Sequence, residues 1–298
     1  MKTAYVRQYG PPEVIELRDL PTPVPGPGEI RLKVLATAVT AGDFRVRSGK
    51  LPRGFGILRG PVLGFGGPRK GVLGTDAAGV VDAAGQGVTR FRAGDAVIAF
   101  PGSALGAHAE YLIMPAEGRV VAKPPAMSFE DAAALPFGAM TAIDFLHRGG
   151  LREGERVLVN GASGNVGSAA VQLAKHFGAH VTAVCSGRNA ALVASLGADE
   201  VVDYTQHDVT LSKNQFDVIV DCVGNLPYAR AQPLLKAGGR LLLVLADLPA
   251  TLGAIFAGRK HGHRVIAGPA SEKVEDLGTV AERAEKGILK PVIDERFT

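Results

Sequence analysis

The spacing of apolar positions changes character near residue 122. Before that point, short β-branched or apolar runs at 29–39, 77–85, 95–100 and 109–114 are cut apart by Gly and Pro. This pattern predicts a β-rich unit. Residues 47–71, RSGKLPRGFGILRGPVLGFGGPRKG, read as a long loop carrying apolar side chains, and loops of that length commonly line a binding site. After 122 the period lengthens. Ser128 with its acidic first turn predicts a helix start, and Pro136 predicts a break in that helix. Strands at 156–161, 180–186, 200–204, 216–223 and 239–246 then alternate with helices at 165–177, 188–196 and 228–236. Such alternation predicts βαβ units and a parallel sheet, for which 3-2-1-4 is the usual central strand order. The apolar run GRLLLVLA at 239–246 is expected near a sheet edge, which a protein tends to cover. A homodimer through that edge is therefore expected.

Composition narrows the field. In 298 residues, 46% hydrophobic and 21% charged content suits packed domains, and the net charge of +4 comes without a basic block. Disorder and nucleic-acid binding are disfavoured. No apolar run follows Lys2 as a signal peptide would require, and none is long enough to cross a bilayer. No membrane partner and a cytoplasmic location are expected. The two cysteines, Cys185 and Cys222, fall at the ends of the second and fourth strands of the parallel sheet. They would lie about two strand spacings apart, roughly 9 to 10 Å, beyond the ~7 Å that a disulfide spans. Both are expected in the core.

The stretch RVLVNGASGNVGSAAVQLAKHFGA carries Gly161, Gly164 and Gly167 between a buried strand and a helix that places Val166, Ala169, Ala170, Leu173 and Phe177 on one face. At a helix start, free N–H groups and the positive dipole end favour a pyrophosphate. Gly164 would admit the phosphates, Gly167 would let helix and strand lie close, and Ser163 and Asn165 would add donors. The second strand ends in HVTAVCSGRNAA, without the acid that binds a ribose 2′-hydroxyl. Ser186 and Arg188 stand there instead and suit a 2′-phosphate, so NADP(H) is the expected cofactor.

These residues resemble the medium-chain dehydrogenase/reductases, in their zinc-independent quinone oxidoreductase branch. The resemblance runs through MKTAYVRQYGPPEVIELRDLPTPVPGPGEIRLKV, TAGDFRVRSG, GVLGTDAAGVVDAAGQGVTRFRAGDAVIAF, ALPFGAMTAIDFL, VLVNGASGNVG, LGADEVVDY and DVIVDCVG. It implies an α/β protein: a GroES-like β-rich catalytic domain at 1–122, a Rossmann domain with a doubly wound parallel sheet at 123–265, and a short return segment to the catalytic domain at 266–298. It implies a cleft holding NADPH and hydride transfer to quinones or α,β-unsaturated carbonyls. Ser163, Gly164, Asn165 and Val166 would contact the pyrophosphate. Ser186, Arg188 and Tyr204 would surround the adenosine end, and Thr141, Val223 and Gly224 the nicotinamide half. The family segment usually has Asn where this chain has Thr40, and often Tyr where it has Lys50 and Leu51. Those positions border the substrate. The resemblance also implies a longer return segment than 266–298 supplies.

Zinc-dependent relatives use a Cys, a Gly-His-Glu and a four-Cys lobe. Here Thr40, Gly74-Thr75-Asp76 and no cysteines occupy those places, so no metal is expected. Thr40 and Asp43 are the candidate catalytic residues, Asp43 as an orienting group with turn capping as its alternative. Asp76 is expected to organise a loop, His108 to lie at a strand end, and the basic RKHGHR run at 259–264 to form a solvated turn. The expected activity is an NADPH:quinone or enone oxidoreductase acting on a small molecule. The alternatives are an enoyl-thioester reductase and a non-catalytic NADPH-binding redox sensor.

Overall fold

The structure is a computed structural model that describes residues 1–56, 59–212 and 215–297. Strands β1 (Lys2–Val6) and β2 (Ile15–Asp19) form an antiparallel pair. Strand β3 (Glu29–Thr37) follows, then α1 (Ala41–Ser48), α2 (Arg59–Leu63), β4 (Ala77–Ala84), β5 (Ala96–Ala99), β6 (Tyr111–Pro115) and β7 (Val120–Ala122). Five of these strands make an antiparallel sheet in the order β6-β3-β4-β5-β7. Alternate residues such as Ile30, Leu32, Val97 and Ala99 enter its core, as the two-residue period of a strand requires.

The second half contains α3 (Phe129–Ala134), α4 (Pro136–Gly149), β8 (Arg156–Asn160), α5 (Asn165–His176), β9 (His180–Cys185), α6 (Ala190–Ser195), β10 (Glu200–Asp203), β11 (Phe216–Asp221), α7 (Tyr228–Ala231), β12 (Leu235–Leu243), α8 (Leu248–Lys260), β13 (Arg264–Ile266) and α9 (Val274–Glu285). The sheet is parallel, in the order β10-β9-β8-β11-β12-β13. Both faces are covered. Val157, Val159, Val218 and Val220 enter one core, while Leu158, Ile219, Leu241 and Leu243 enter the other. This explains the continuous apolar runs of its strands. The chain is thus an α/β protein with a GroES-like β-rich part and a Rossmann sheet. Ala78, Ile98 and Phe100 of the β-rich part share one core with α3, α4 and α5, so the two parts are joined by apolar packing.

Several elements differ from the expectation. Residues 239–246 do not form an edge, because β13 pairs outside β12. Short β13 was hidden in the RKHGHR run, which ends α8 and starts that strand instead of forming only a solvated turn. His263 within it is buried, with Nδ1 2.9 Å from the Tyr228 hydroxyl. The helix expected at 228–236 stops at Ala231 in a 3-10 turn containing Pro233, which has no amide to continue it. The loop at 47–71 contains α2, with Ile57 and Leu58 outside the described residues. Pro136 does divide the helix after Ser128 in two. Beyond β13, Glu272 reaches back to Arg119 and Ser103 of the β-rich part, and Gln172 holds Lys290 through paired amide bonds. Cys185 is buried but Cys222 only half so. Both are free thiols, and burial pushes both pKa values up.

Candidate active site

The three glycines after β8 have different physical reasons. Gly161 has φ +82°, and a Cβ there would meet Val223 Cγ2 at 2.5 Å. A Cβ on Gly167 would come within 2.1 Å of the Gly161 carbonyl oxygen. The chain itself therefore demands glycine at both positions. Gly164 is exposed, with φ −78°, and a Cβ there would meet only the Gly161 oxygen at 3.5 Å. Nothing in the folded chain requires glycine at that point. The room lies at the start of α5, where the amides of Asn165, Val166 and Gly167 have no acceptor among the described residues. It suits a group that comes close to the backbone and accepts hydrogen bonds, as a pyrophosphate does. Ser163 Oγ accepts a bond from Asn189 Nδ2 at 3.1 Å, and that nitrogen also lies 3.4 Å from Ser186 Oγ. Asn189, which the sequence reading passed over, thus ties the glycine loop to the turn after β9.

That turn, Gly187–Asn189, is a single 3-10 turn that leaves Arg188 exposed. The Tyr204 amide donates to the Cys185 carbonyl at 3.1 Å, and the Tyr204 ring is largely exposed. Ser186, Arg188 and Tyr204 therefore stand at two adjoining strand ends. The register that pairs Asp203 with Cys185 also brings an acid to this corner. A Cβ on Gly187 would meet Asp203 Oδ2 at 2.4 Å. The Thr205 amide and hydroxyl bind Asp203 Oδ1 at 2.9 and 2.8 Å, and they hold its pKa below the usual range. The end of β9 lacks an acid, as read from the sequence, but its neighbour supplies one.

At the end of β11, buried Asp221 organises the next loop. Its Oδ1 accepts from Asn160 Nδ2 at 2.8 Å, from the Val223 amide at 3.1 Å and from the Gly224 amide at 3.0 Å. Its Oδ2 accepts from the Leu226 amide at 3.1 Å. Gly224 has φ +85°, and a Cβ there would meet the Leu245 carbonyl oxygen at 2.9 Å. Val223 and Gly224 form part of one wall of a cavity of about 510 Å³, together with Leu243 and Leu245. Phe44, Arg45, Lys50 and Leu51 form the facing wall. The Leu248 amide donates to the Arg53 carbonyl at 2.9 Å, closing the two walls together at one end. Thr141 lies in α4, its hydroxyl donating to the Phe137 carbonyl at 2.7 Å. It does not line this cavity.

Thr40 and Asp43, expected beside the substrate, are buried and stay outside the cavity lining. Asp43 Oδ2 accepts from the Thr40 amide and hydroxyl, both at 2.9 Å, and Oδ1 accepts from the Gly74 amide at 2.9 Å. Its carboxylate is spent on capping α1 and tethering the Gly74 turn. The next residues along α1, Phe44 and Arg45, face the cavity instead. Asp76 caps across the domains: Oδ1 accepts from the Phe137 amide at 2.8 Å in the first turn of α4, and Oδ2 accepts from the Thr75 hydroxyl. Burial pushes its pKa up to about 7. His108 is half-buried, with Nε2 3.1 Å from the Ala38 carbonyl. Thr40 and Thr75, their hydroxyls 3.5 Å apart, offer zinc no imidazole or thiolate. Among the described residues no group of three or more His, Cys, Asp or Glu is gathered for a metal. The site does not fit a zinc ion.

Residues 26–125 match the family described as alcohol dehydrogenase GroES-like domain, and residues 165–268 that described as zinc-binding dehydrogenase. A chloroplastic quinone-oxidoreductase, QR1 of Triphysaria versicolor, is 32% identical over 299 residues, covering 94% of this chain and 85% of its own length. The quinone oxidoreductase from Coxiella burnetii superposes with a TM-score of 0.86 at 27% identity, over 99% of this chain and 90% of that one. The Escherichia coli quinone oxidoreductase, solved in complex with NADPH, superposes with a TM-score of 0.82 at 25% identity, over 98% of this chain and 90% of that one. With a GroES-like sheet, a six-stranded Rossmann sheet and a glycine loop at its switch point, the chain belongs to the medium-chain dehydrogenase/reductase family of oxidoreductases, among the quinone oxidoreductases.

Proposed function

We propose that this chain is an NADPH-dependent reductase of quinones or α,β-unsaturated carbonyls that works without a metal. The observation that carries the reading is the open space over Gly164. It meets three amides without acceptors and lies along the same strand ends as the cavity at Val223 and Gly224. Crevices outside the carboxyl ends of parallel strands, where strand order reverses, are where such sheets bind dinucleotides. The pyrophosphate would rest on Ser163, Gly164, Asn165 and Val166. The 2′-phosphate would meet Ser186 and Arg188 beside Tyr204, and the nicotinamide half would lie near Thr141, Val223 and Gly224. When bound, the nicotinamide supplies the hydride to the acceptor.

The chain's own part is positioning. Asp221 holds the 222–226 loop rigid through its four accepted bonds, so Val223 and Gly224 keep one wall in place. The contact between Leu248 and Arg53 holds the β-rich wall against it. The carboxyl and hydroxyl groups of the lining are engaged by the chain itself: Asp221 accepts four hydrogen bonds, Asp247 caps α8, and the Tyr228 hydroxyl is bound to His263. The proton that completes the reduction is taken from water.

In this reading 1–122 supplies the substrate wall, 123–265 the cofactor and 266–298 the return segment. The homodimer expected from the apolar run would form along β13, the actual sheet edge, and the protein would work in the cytoplasm. No helix among the described residues is long and apolar enough to cross a membrane. The experiment is a panel of quinones, enones and enoyl thioesters followed through NADPH absorbance. Oxidation with quinones or enones supports the reading. Oxidation with thioesters alone supports an enoyl-thioester reductase, and tight binding without oxidation supports a redox sensor.

A further inference from the structure

The cavity has two chemically different walls. The Rossmann side offers Val223, Leu243 and Leu245, an apolar surface suited to a conjugated carbonyl. The β-rich side offers Arg45, Lys50 and Arg53. Among the described residues none of these three side chains has a hydrogen bond, an ion pair or a ring contact. Elsewhere the chain commonly pairs its cations, as in Arg240 with Glu155, Arg119 with Glu272 and Arg148 with Asp144. Among the described residues the two carboxylates that line the cavity form no ion pair with these cations, and two negative charges against three leave the lining net positive. Asp221 accepts from four donors, and Asp247 Oδ1 accepts from the Ala250 amide at 2.6 Å as the cap of α8.

Arg45 is the most constrained of the three. It is half-buried on α1, and burial lowers its pKa, the mark of a cation held partly out of water with no counter-ion. A planar guanidinium in that setting matches a carboxylate in a two-point contact. Lys50 and Arg53 are exposed at the rim and add positive potential to the same opening.

Resting on the reductase reading above, we infer that the substrate carries a carboxylate, held by Arg45 with Lys50 and Arg53, while its conjugated carbonyl lies toward Leu243 and Leu245, beside the nicotinamide half that Val223 and Gly224 would take. The cavity of about 510 Å³ holds a small amphiphile of this kind. Hydride adds to the β-carbon of the conjugated system and water protonates the α-carbon. The carboxylate takes no part in bond changes and serves only to orient.

The test compares acetylacrylate, an enone with a carboxylate, with its methyl ester, at pH 7 and low salt. Wild type is expected to favour the acid over the ester in kcat/KM by about ten- to a hundredfold, the range for hydrogen bonds to charged groups. Arg45→Gln, and separately Lys50→Gln with Arg53→Gln, should collapse that ratio toward one, and Arg45→Lys should retain part of it. A calorimetric titration of unreactive levulinate against methyl levulinate should show the same order without turnover. Thermal unfolding of each variant identifies any that fail to fold, and the exposed Lys50 and Arg53 pair then decides. An acid-to-ester ratio near one in wild type, or one unchanged in the folded variants, overturns the inference while neutral quinone reduction leaves the reductase reading intact. No NADPH oxidation with any acceptor overturns the reading and the inference with it.

Discussion

Asp76 accepts a hydrogen bond from the Phe137 amide at 2.8 Å, so a carboxylate from the β-rich part caps the helix that flanks the glycine loop. An acid at a helix start is electrostatically favoured, yet this one is buried and its pKa is pushed up to about 7. The folded protein therefore holds a proton between about pH 4 and about pH 7 that the unfolded chain has released. The stability this contributes is full below about pH 4 and is lost as pH rises toward 7, at up to about 1.4 kcal/mol per pH unit. Asp76→Asn keeps an acceptor for Phe137 and removes the titration. Urea unfolding at pH 5 and pH 8 should show wild type losing more stability than Asp76→Asn over that interval. Equal losses would mean that Asp76 keeps one charge state throughout.

The glycines of the loop separate ligand binding from folding. Gly164→Ala places a methyl group in open space at an ordinary φ. It should unfold within a few degrees of wild type, yet weaken NADPH binding by about tenfold or more, because the methyl occupies the approach to the α5 amides. Gly167→Ala drives a methyl group into the Gly161 carbonyl. It should cost about 1 to 3 kcal/mol of stability as an overpacking change. Calorimetric melting and NADPH titration of the two variants check both. A Gly164→Ala protein with undiminished NADPH affinity would remove the loop from the cofactor site.

The glycine loop was legible because local rules govern it: a run buried on both faces, a helix with one apolar face, and three small residues between them. The cavity was not. Arg45, Lys50 and Arg53 meet Val223, Tyr228 and Leu245 only through the packing of distant parts, and no periodicity reports that. Helix α1 also inverts the usual pattern. Its buried residues are Asp43 and Arg47, which bond the chain's own amides and the Gly10 carbonyl, while Phe44 is exposed. A reading that assigns acids to chemistry therefore selected Asp43 and missed its neighbour Arg45. Short β13 escaped for a related reason, since three residues after a basic turn carry too little pattern to mark a strand.

The resemblance to zinc-dependent relatives would put metal ligands at Thr40 and Thr75, yet the polar atoms of both are already engaged in the Asp43 and Asp76 network. NADPH oxidation by the protein should be unchanged after dialysis against a chelator, and elemental analysis should find zinc well below one equivalent. Activity lost on chelation and restored by zinc would show a metal role that these residues do not explain.

Cofactor preference turns on a corner with opposing charges. Arg188 is exposed after β9 and suits a 2′-phosphate, while Asp203 lies against Gly187 from the next strand, where it would repel one. Asp203 is restrained by Thr205, so its charge stays in place when a ligand arrives. Arg188→Ala should weaken NADPH binding by about tenfold, the low end for a charged hydrogen bond because the group is exposed and screened by salt. NADH lacks the phosphate, and its binding should change little. Asp203→Asn should act in the opposite sense, raising the ratio of kcat/KM for NADPH over NADH, since it removes the nearby negative charge and keeps an acceptor for Thr205. Measuring that ratio in wild type and both variants, at low and high salt, checks the assignment, and the difference between variants should shrink with salt. A wild-type preference for NADH would make Asp203 the ribose-binding group of this corner. An Arg188→Ala protein that loses both cofactors equally would assign Arg188 to the fold of the 187–189 turn.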